Sequence, residues 1–215
     1  MSASVWMWIL SLCLLGGTNM KHTGIIPAIK THKKLEQFLK SENQYGVLMD
    51  FQISQLPPLI KDIKKAGKKV LVHLDLIKGI SSDEYGAIYL VQELKVDGII
   101  TIKPSVVKLC KKRNVMGIMR LFLKDRHSLE QSMALVERTN PDLVEVLPYM
   151  PSILPELNER LKCPYLMGGL INTEDQAKTV IEGGAIAITT SKESLWQTDL
   201  SGHISNKRKD NSNDL

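Results

Sequence analysis

Aromatic side chains make up only 5% of this chain, with three Phe, three Trp and five Tyr among 215 residues. Trp6 and Trp8 both fall at the extreme N-terminus. So sparse a set carries no pattern of the stacking surfaces that read single-stranded RNA, and no RNP motif, KH loop or zinc knuckle is present. Cysteine is equally scarce. Cys13, Cys110 and Cys163 are odd in number, far apart and in no CxxC pair, which excludes a disulfide framework and a zinc site of ordinary spacing and points to a reducing, cytoplasmic setting. There is no GxSxG, no HExxH and no GxGxxG after the first apolar run, so no activated serine, helical zinc site or dinucleotide fingerprint is signalled. Charge of neither sign dominates: 28 Lys and Arg stand against 23 Asp and Glu, a formal +5. That balance permits an anionic partner without selecting one.

A long hydrophobic run is missing as well. The apolar stretch at 5–15 is too short to span a bilayer and has no Lys or Arg before it. Gly16-Gly17 can be encoded by a purine-rich ribosome-binding sequence, and Met20 follows directly after Thr18-Asn19. Residues 1–19 are therefore expected to be a translated leader outside the fold, with a signal peptide as the rival reading. The fold is expected over 20–196, and the polar stretch 197–215 as a disordered tail.

What the chain does have is alternation. Apolar, β-branched-rich runs at 24–29, 46–51, 69–76, 98–102, 116–123, 143–148, 164–169 and 185–191 predict strands. Between them, 31–40, 57–66, 83–94, 104–113, 128–138, 151–161 and 173–182 have helical spacing and charged faces. Ser128 and Thr173 stand as helix caps, Pro104 and Pro151 in first turns, and Gly67 and Gly183 at helix ends. Strands apolar on both faces and alternating with helices are parallel β/α units. Eight of them close most economically into a small, single-domain (β/α)8 TIM-type barrel, with an open doubly wound sheet as the alternative.

Such barrels bind ligands at the C-terminal ends of their strands. The polar residues expected there are Asp50, His73, Asp75, Lys103, Arg120 and Glu145, then Gly168-Gly169 and Thr189-Thr190-Ser191. His73 and Asp75 are two apart and share a strand face, while Arg120 and Glu145 share parity with apolar neighbours expected to point inward. The plainer alternative is an internal salt-bridge layer, Arg120 and Lys103 against Glu145 and Asp75. Glycines and hydroxyls closing the last two strands suit a phosphate, because backbone N–H groups can approach it with no Cβ in the way. No metal ligand set and no cofactor is indicated. An aldolase or isomerase using Lys103, His73 or Glu145 on a small phosphorylated metabolite is a second functional reading.

The runs "GIIPAI", "YGVLMDF", "VHLDLIKGISSDEYG", "DGIITIKPSVVKLCKK", "LVEVLP", "GGLI" and "GAIAITTSKESLW" resemble the glycerol-3-phosphate-responsive antiterminators of glycerol-uptake operons, across about residues 24 to 196. The resemblance implies a barrel that binds glycerol 3-phosphate as effector and then the leader mRNA of glycerol catabolic genes, preventing premature termination. It places Gly168, Gly169, Thr189, Thr190 and Ser191 at the phosphate and His73, Asp75, Lys103, Arg120 and Glu145 around the rest of the pocket. In the family's pattern "EVLP" continues with glycine; here Tyr149 follows. A homodimer is left open. For RNA, the basic clusters offer Lys64, Lys65, Lys111, Lys112 and Arg113 as a backbone footprint. Their place at helix C-termini, where cations complement the macrodipole, is the competing explanation.

Overall fold

The computed structural model describes residues 24–203, so the expected leader at 1–19 and the part of the tail beyond 203 lie outside the described residues. Eight parallel strands are joined by seven helices, here α1 to α7, each following the strand of the same number. The strands are β1 (Gly24–Ile29), β2 (Tyr45–Leu48), β3 (Lys69–His73), β4 (Gly98–Thr101), β5 (Met116–Phe122), β6 (Leu143–Leu147), β7 (Tyr165–Gly168) and β8 (Ala187–Thr190). Each pairs with the next, and β1 pairs with β8, Ile26 opposite Thr189, so the sheet closes into the expected (β/α)8 barrel rather than an open one.

The helices are α1 (His32–Lys40), α2 (Leu56–Lys65), α3 (Glu84–Gln92), α4 (Pro104–Lys112), α5 (Arg126–Thr139), α6 (Leu154–Arg160) and α7 (Glu174–Glu182). Their starts follow local chemistry. Thr31 and Thr173 cap α1 and α7 by accepting the N–H of Lys34 and Gln176. Pro57-Pro58 and Pro104 sit in first turns, where a missing N–H is harmless. In α2, Leu56, Leu59, Ile60 and Ile63 form the i, i+3, i+4, i+7 stripe that packs on the sheet.

Strand alternation divides the core in two. Val70, Val72, Val144, Val146, Met167 and their counterparts pack outward against the helices. Ile26, Val47, Leu71, Ile100, Ile118, Leu143 and Leu166 fill the barrel axis. Toward the C-terminal end the same inward parity continues as His73, Arg120, Glu145, Gly168 and Thr189.

Several boundaries differ from expectation. β2 stops at Leu48 because Asp50 turns the chain at φ 65°. β3 stops at His73, and 74–76 coil into a 3-10 turn that aims the Asp75 carboxylate at β4. α5 begins at Arg126, not after Ser128: Asp125 is the cap, and Ser128 is its reciprocal partner three residues on. Pro151 opens a 3-10 turn ahead of α6. The expected tail boundary at 197 is also too early. Leu200 is buried, and His203 bonds Glu182 of α7 at 2.6 Å, so ordered structure runs to the last described residue.

Candidate functional site

Buried polar side chains are concentrated at one end of the barrel. His73, Thr101, Arg120, Glu145, Thr189 and Thr190 all sit at or near the C-terminal ends of strands; only Ser132 and Thr139, on α5, lie elsewhere among the described residues. At their centre is a short relay. The Arg120 Nε donates to Glu145 Oε2 at 2.6 Å, and the Thr189 hydroxyl donates to Glu145 Oε1 at 2.7 Å. Arg120 and Glu145 sit opposite each other in the β5–β6 ladder, which delivers the pair already aligned. With both carboxylate oxygens engaged, the desolvation of this ion pair is offset by charge-assisted bonds. The salt-bridge alternative therefore holds for Arg120 and Glu145. It fails for the other pair, because Lys103 is exposed and makes no contact with Asp75.

His73 faces the same interior at 1% exposure, and neither ring nitrogen has a hydrogen-bond partner among the described residues. The nearest carboxylate, Asp75 Oδ2, is 3.9 Å from Nδ1, beyond hydrogen-bond reach. Burial, and next the Arg120 charge, push the imidazole down to about 4, so it is neutral at physiological pH. A neutral imidazole offers one donor and one acceptor. Leaving both unused in the interior costs about 1–3 kcal/mol per group, a cost that a bound hydroxyl would remove.

Asp75 itself is already engaged. It accepts from the hydroxyls of Ser82 and Thr101 and from the Ile102 N–H. The side chain thereby fastens the β3 loop to the end of β4. Asp50 is exposed and paired with Lys30 at 3.1 Å, and Lys103 occupies the position before α4 on the rim, its side chain making no capping bond. Of the six expected pocket residues, the structure brings His73, Asp75, Arg120 and Glu145 together and leaves Asp50 and Lys103 outside that cluster.

The expected phosphate corner is built from β7 and β8. A Cβ on Gly168 would lie 2.1 Å from Thr189 Oγ1, so only glycine lets β7 approach the relay. Gly169 follows at φ 71° and Leu170 at φ 62°, turning the chain sharply away. Thr189 points inward to Glu145, whereas Thr190 is committed to the loop: its hydroxyl accepts the Lys192 N–H and its carbonyl accepts the Trp196 indole. Ser191 is exposed, and its carbonyl accepts from Lys34 Nζ at 2.5 Å. Lys34 is a residue that sequence reasoning missed. It lies on α1, and only closure of β1 on β8 brings its cation to this corner. Tyr149 also gains a place here, its N–H donating to the Gly169 carbonyl at 2.9 Å and so tying the loop after β6 to the loop after β7.

The residues proposed as an RNA footprint lie at the opposite end. Lys64 and Lys111 donate to the carbonyls of Lys95 and Asn140, closing loops there. Lys65, Lys112 and Arg113 are exposed at the C-termini of α2 and α4. No group of three or more His, Cys, Asp or Glu is placed to hold a metal, and no helix is long and apolar enough to cross a membrane, among the described residues.

A closed parallel barrel whose strand-borne buried polar side chains gather at its C-terminal mouth, with a glycine-built corner after β7, is a TIM barrel with its polar groups at the end where this fold class binds ligands. Residues 25–196 match the family described as the glycerol-3-phosphate responsive antiterminator, and the chain belongs to it. It is 34% identical to the glycerol uptake operon antiterminator regulatory protein of Listeria monocytogenes strain 4b F2365, whose crystal structure superposes with a TM-score of 0.81 over 85% of this chain and 100% of that one. An antiterminator-related protein of Thermotoga maritima MSB8 is 28% identical, with a TM-score of 0.73 over 82% of this chain and 99% of that one. The uncharacterized protein YgcP of Escherichia coli K12 is 32% identical over 178 residues, 82% of this chain and 93% of its own. The family is one of regulators.

Proposed function

We propose that this chain senses glycerol 3-phosphate and, once loaded, binds the leader mRNA of glycerol catabolic genes so that transcription is not terminated early. The unpaired His73 nitrogens in the polar floor carry this reading. Glycerol 3-phosphate carries two free hydroxyls beside the phosphate ester, so one can donate to the bare ring nitrogen and the other can accept from the protonated one. The Glu145 carboxylate beside it is a further acceptor, already oriented by Arg120 and Thr189. The phosphate then takes the corner formed by Gly168-Gly169 and Ser191, with the Lys34 and Lys192 ammoniums supplying opposite charge. Membership of the antiterminator family supports the mRNA step.

This arrangement does not favour an aldolase. A Schiff-base lysine is kept desolvated, and Lys103 stands exposed on the rim.

A gel shift of leader transcript with and without glycerol 3-phosphate, run at two salt concentrations, tests the whole proposal. Retention that requires the effector and weakens with salt is expected. Retention indifferent to the effector would refute the sensor reading. Calorimetry on the His73→Leu variant checks the floor, where glycerol 3-phosphate binding should fall at least tenfold while inorganic phosphate binding persists.

A further inference from the structure

We propose that the barrel's C-terminal rim, not its basic opposite end, is the surface that holds single-stranded RNA, so that effector and RNA occupy adjoining layers of one mouth. This inference rests on the antiterminator reading above.

Its first support is the distribution of exposed apolar surface. The large hydrophobic side chains left exposed among the described residues are Leu76, Tyr85, Tyr89, Ile102, Phe122 and Leu170. Leu76, Ile102, Phe122 and Leu170 end or follow β3, β4, β5 and β7; Tyr85 opens α3 above the same mouth, and Tyr89 lies one turn further along that helix, on its flank. None lies at the barrel's other end. Tyr85 is 82% exposed and Phe122 51%, in a protein with few aromatics to spare. Scattered exposed apolar residues are ordinary; a set gathered at one rim of a barrel, all but Tyr89, is not. Exposed rings beside cations are the elements that hold single-stranded bases and their backbone.

The second support is charge. Lys78, Lys103 and Lys124 stand on this rim without an ion pair to any described residue. Of the acidic side chains beside them, Asp75 is engaged in its three bonds and Asp83 and Asp125 as helix caps, which leaves Glu84 in the first turn of α3. At the far end the ammoniums of Lys64, Lys68 and Lys111 are held by backbone carbonyls and that of Lys69 by Asp97, while Lys65, Lys112 and Arg113 stand unpaired there among the described residues, without exposed rings beside them. A second copy of the chain docking here about a two-fold axis would set these lysines against themselves. A polyanion with flat bases would not.

Two rim residues are also wired to the floor. The Arg120 guanidinium lies 5.8 Å from the Phe122 ring centroid, and Asp75 holds the Ile102 N–H while flanking His73. A ligand that settles Arg120 and His73 therefore settles the platform above them.

The test uses leader transcript carrying 4-thiouridine, with full-length protein and saturating glycerol 3-phosphate. Cross-links are expected in the loops after β3, β4 and β5 and in α3. A Tyr85→Ala, Lys124→Ala protein should lose leader affinity about tenfold or more while binding glycerol 3-phosphate within about twofold of wild type. A Lys65→Ala, Lys112→Ala protein should bind RNA as wild type does. Cross-links confined to the ends of α2 and α4, with affinity lost only in the lysine variant, overturn the placement and leave the antiterminator reading standing. Wild-type protein that binds effector but no leader RNA sinks both. If sedimentation shows instead that the Tyr85→Ala, Lys124→Ala protein merely dissociates from dimer to monomer with RNA binding intact, the rim joins two copies and the inference fails.

Discussion

His73 has two consequences at the scale of one side chain. Its imidazole titrates at about 4 in the fold against an ordinary 6.5, chiefly through burial. Between those values the unfolded chain takes a proton that the folded chain refuses, so stability is complete above the unfolded pKa and declines as pH falls toward the folded one. The expected loss from near pH 7 to near pH 5 is about 2 kcal/mol in urea unfolding, and His73→Leu should remove most of that slope. Because Leu leaves no buried polar group unpaired, the same variant should be at least as stable as wild type near pH 7 while failing to bind effector. Gly168→Ala makes the opposite case. Its Cβ must displace the Thr189 hydroxyl from 2.1 Å and break its bond to Glu145. A loss of roughly 1–3 kcal/mol is expected, much of it recovered when Thr189→Ala is added; simple additivity of the two losses would show that the clash is not the cause. Strand parity made His73, Arg120 and Glu145 legible in advance, because an inward position in a strand is set by counting twos. Lys34 was not legible. Its partner Ser191 lies 157 residues away in the chain, and no local pattern encodes that meeting.

Secondary-structure elements set the two loops of the corner proposed for the phosphate, and α7 is the element between them. Its cap is reciprocal: the Thr173 hydroxyl accepts the Gln176 N–H, and the Gln176 side chain accepts the Thr173 N–H. Thr173→Ala should therefore cost about 1 kcal/mol and lower the melting temperature by roughly 2–4 °C. Because the Gln176 side chain also holds the Asn172 N–H, effector affinity should fall with it; an unchanged affinity would mean that the corner is positioned by β7 and β8 alone. Where elements lie was readable throughout, since each β/α unit carries its own period and its own cap or proline. Where β2 and β3 end was not. Asp50 turns into a left-handed conformation and Asp75 leaves the strand to reach Thr101 and Ile102, and both departures are driven by partners on neighbouring strands. The start of α5 slipped for a related reason: Asp125 and Ser128 both have capping side chains, and only the structure shows which is cap and which is partner. Leu200, one apolar residue in a polar stretch, gave no periodic signal, yet it packs where a Cβ on Gly24 would sit, 3.5 Å from its own Cβ.

Closure of eight strands gives the whole molecule two unlike ends. At the N-terminal end carboxylates serve the ladder, Asp97 accepting the Val70 N–H and Asp142 the Gly117 N–H. At the other end they serve a polar floor that retains unspent hydrogen-bonding capacity in His73. The alternation of elements was enough to expect the barrel, but not this division of labour, which depends on which loop each side chain meets after closure. Effector and RNA acting on one molecule must obey a closed thermodynamic cycle. If glycerol 3-phosphate tightens leader binding tenfold, saturating leader RNA must tighten glycerol 3-phosphate binding tenfold, about 1.4 kcal/mol in each direction. With RNA seated over the mouth, that gain should appear mainly as slower effector release. Calorimetric titration of glycerol 3-phosphate with and without saturating leader, paired with stopped-flow dissociation, measures both quantities. A tightening in one direction that has no equal in the other would mean that a third equilibrium, such as self-association, is linked to loading, and that the two ligands do not communicate through a single barrel.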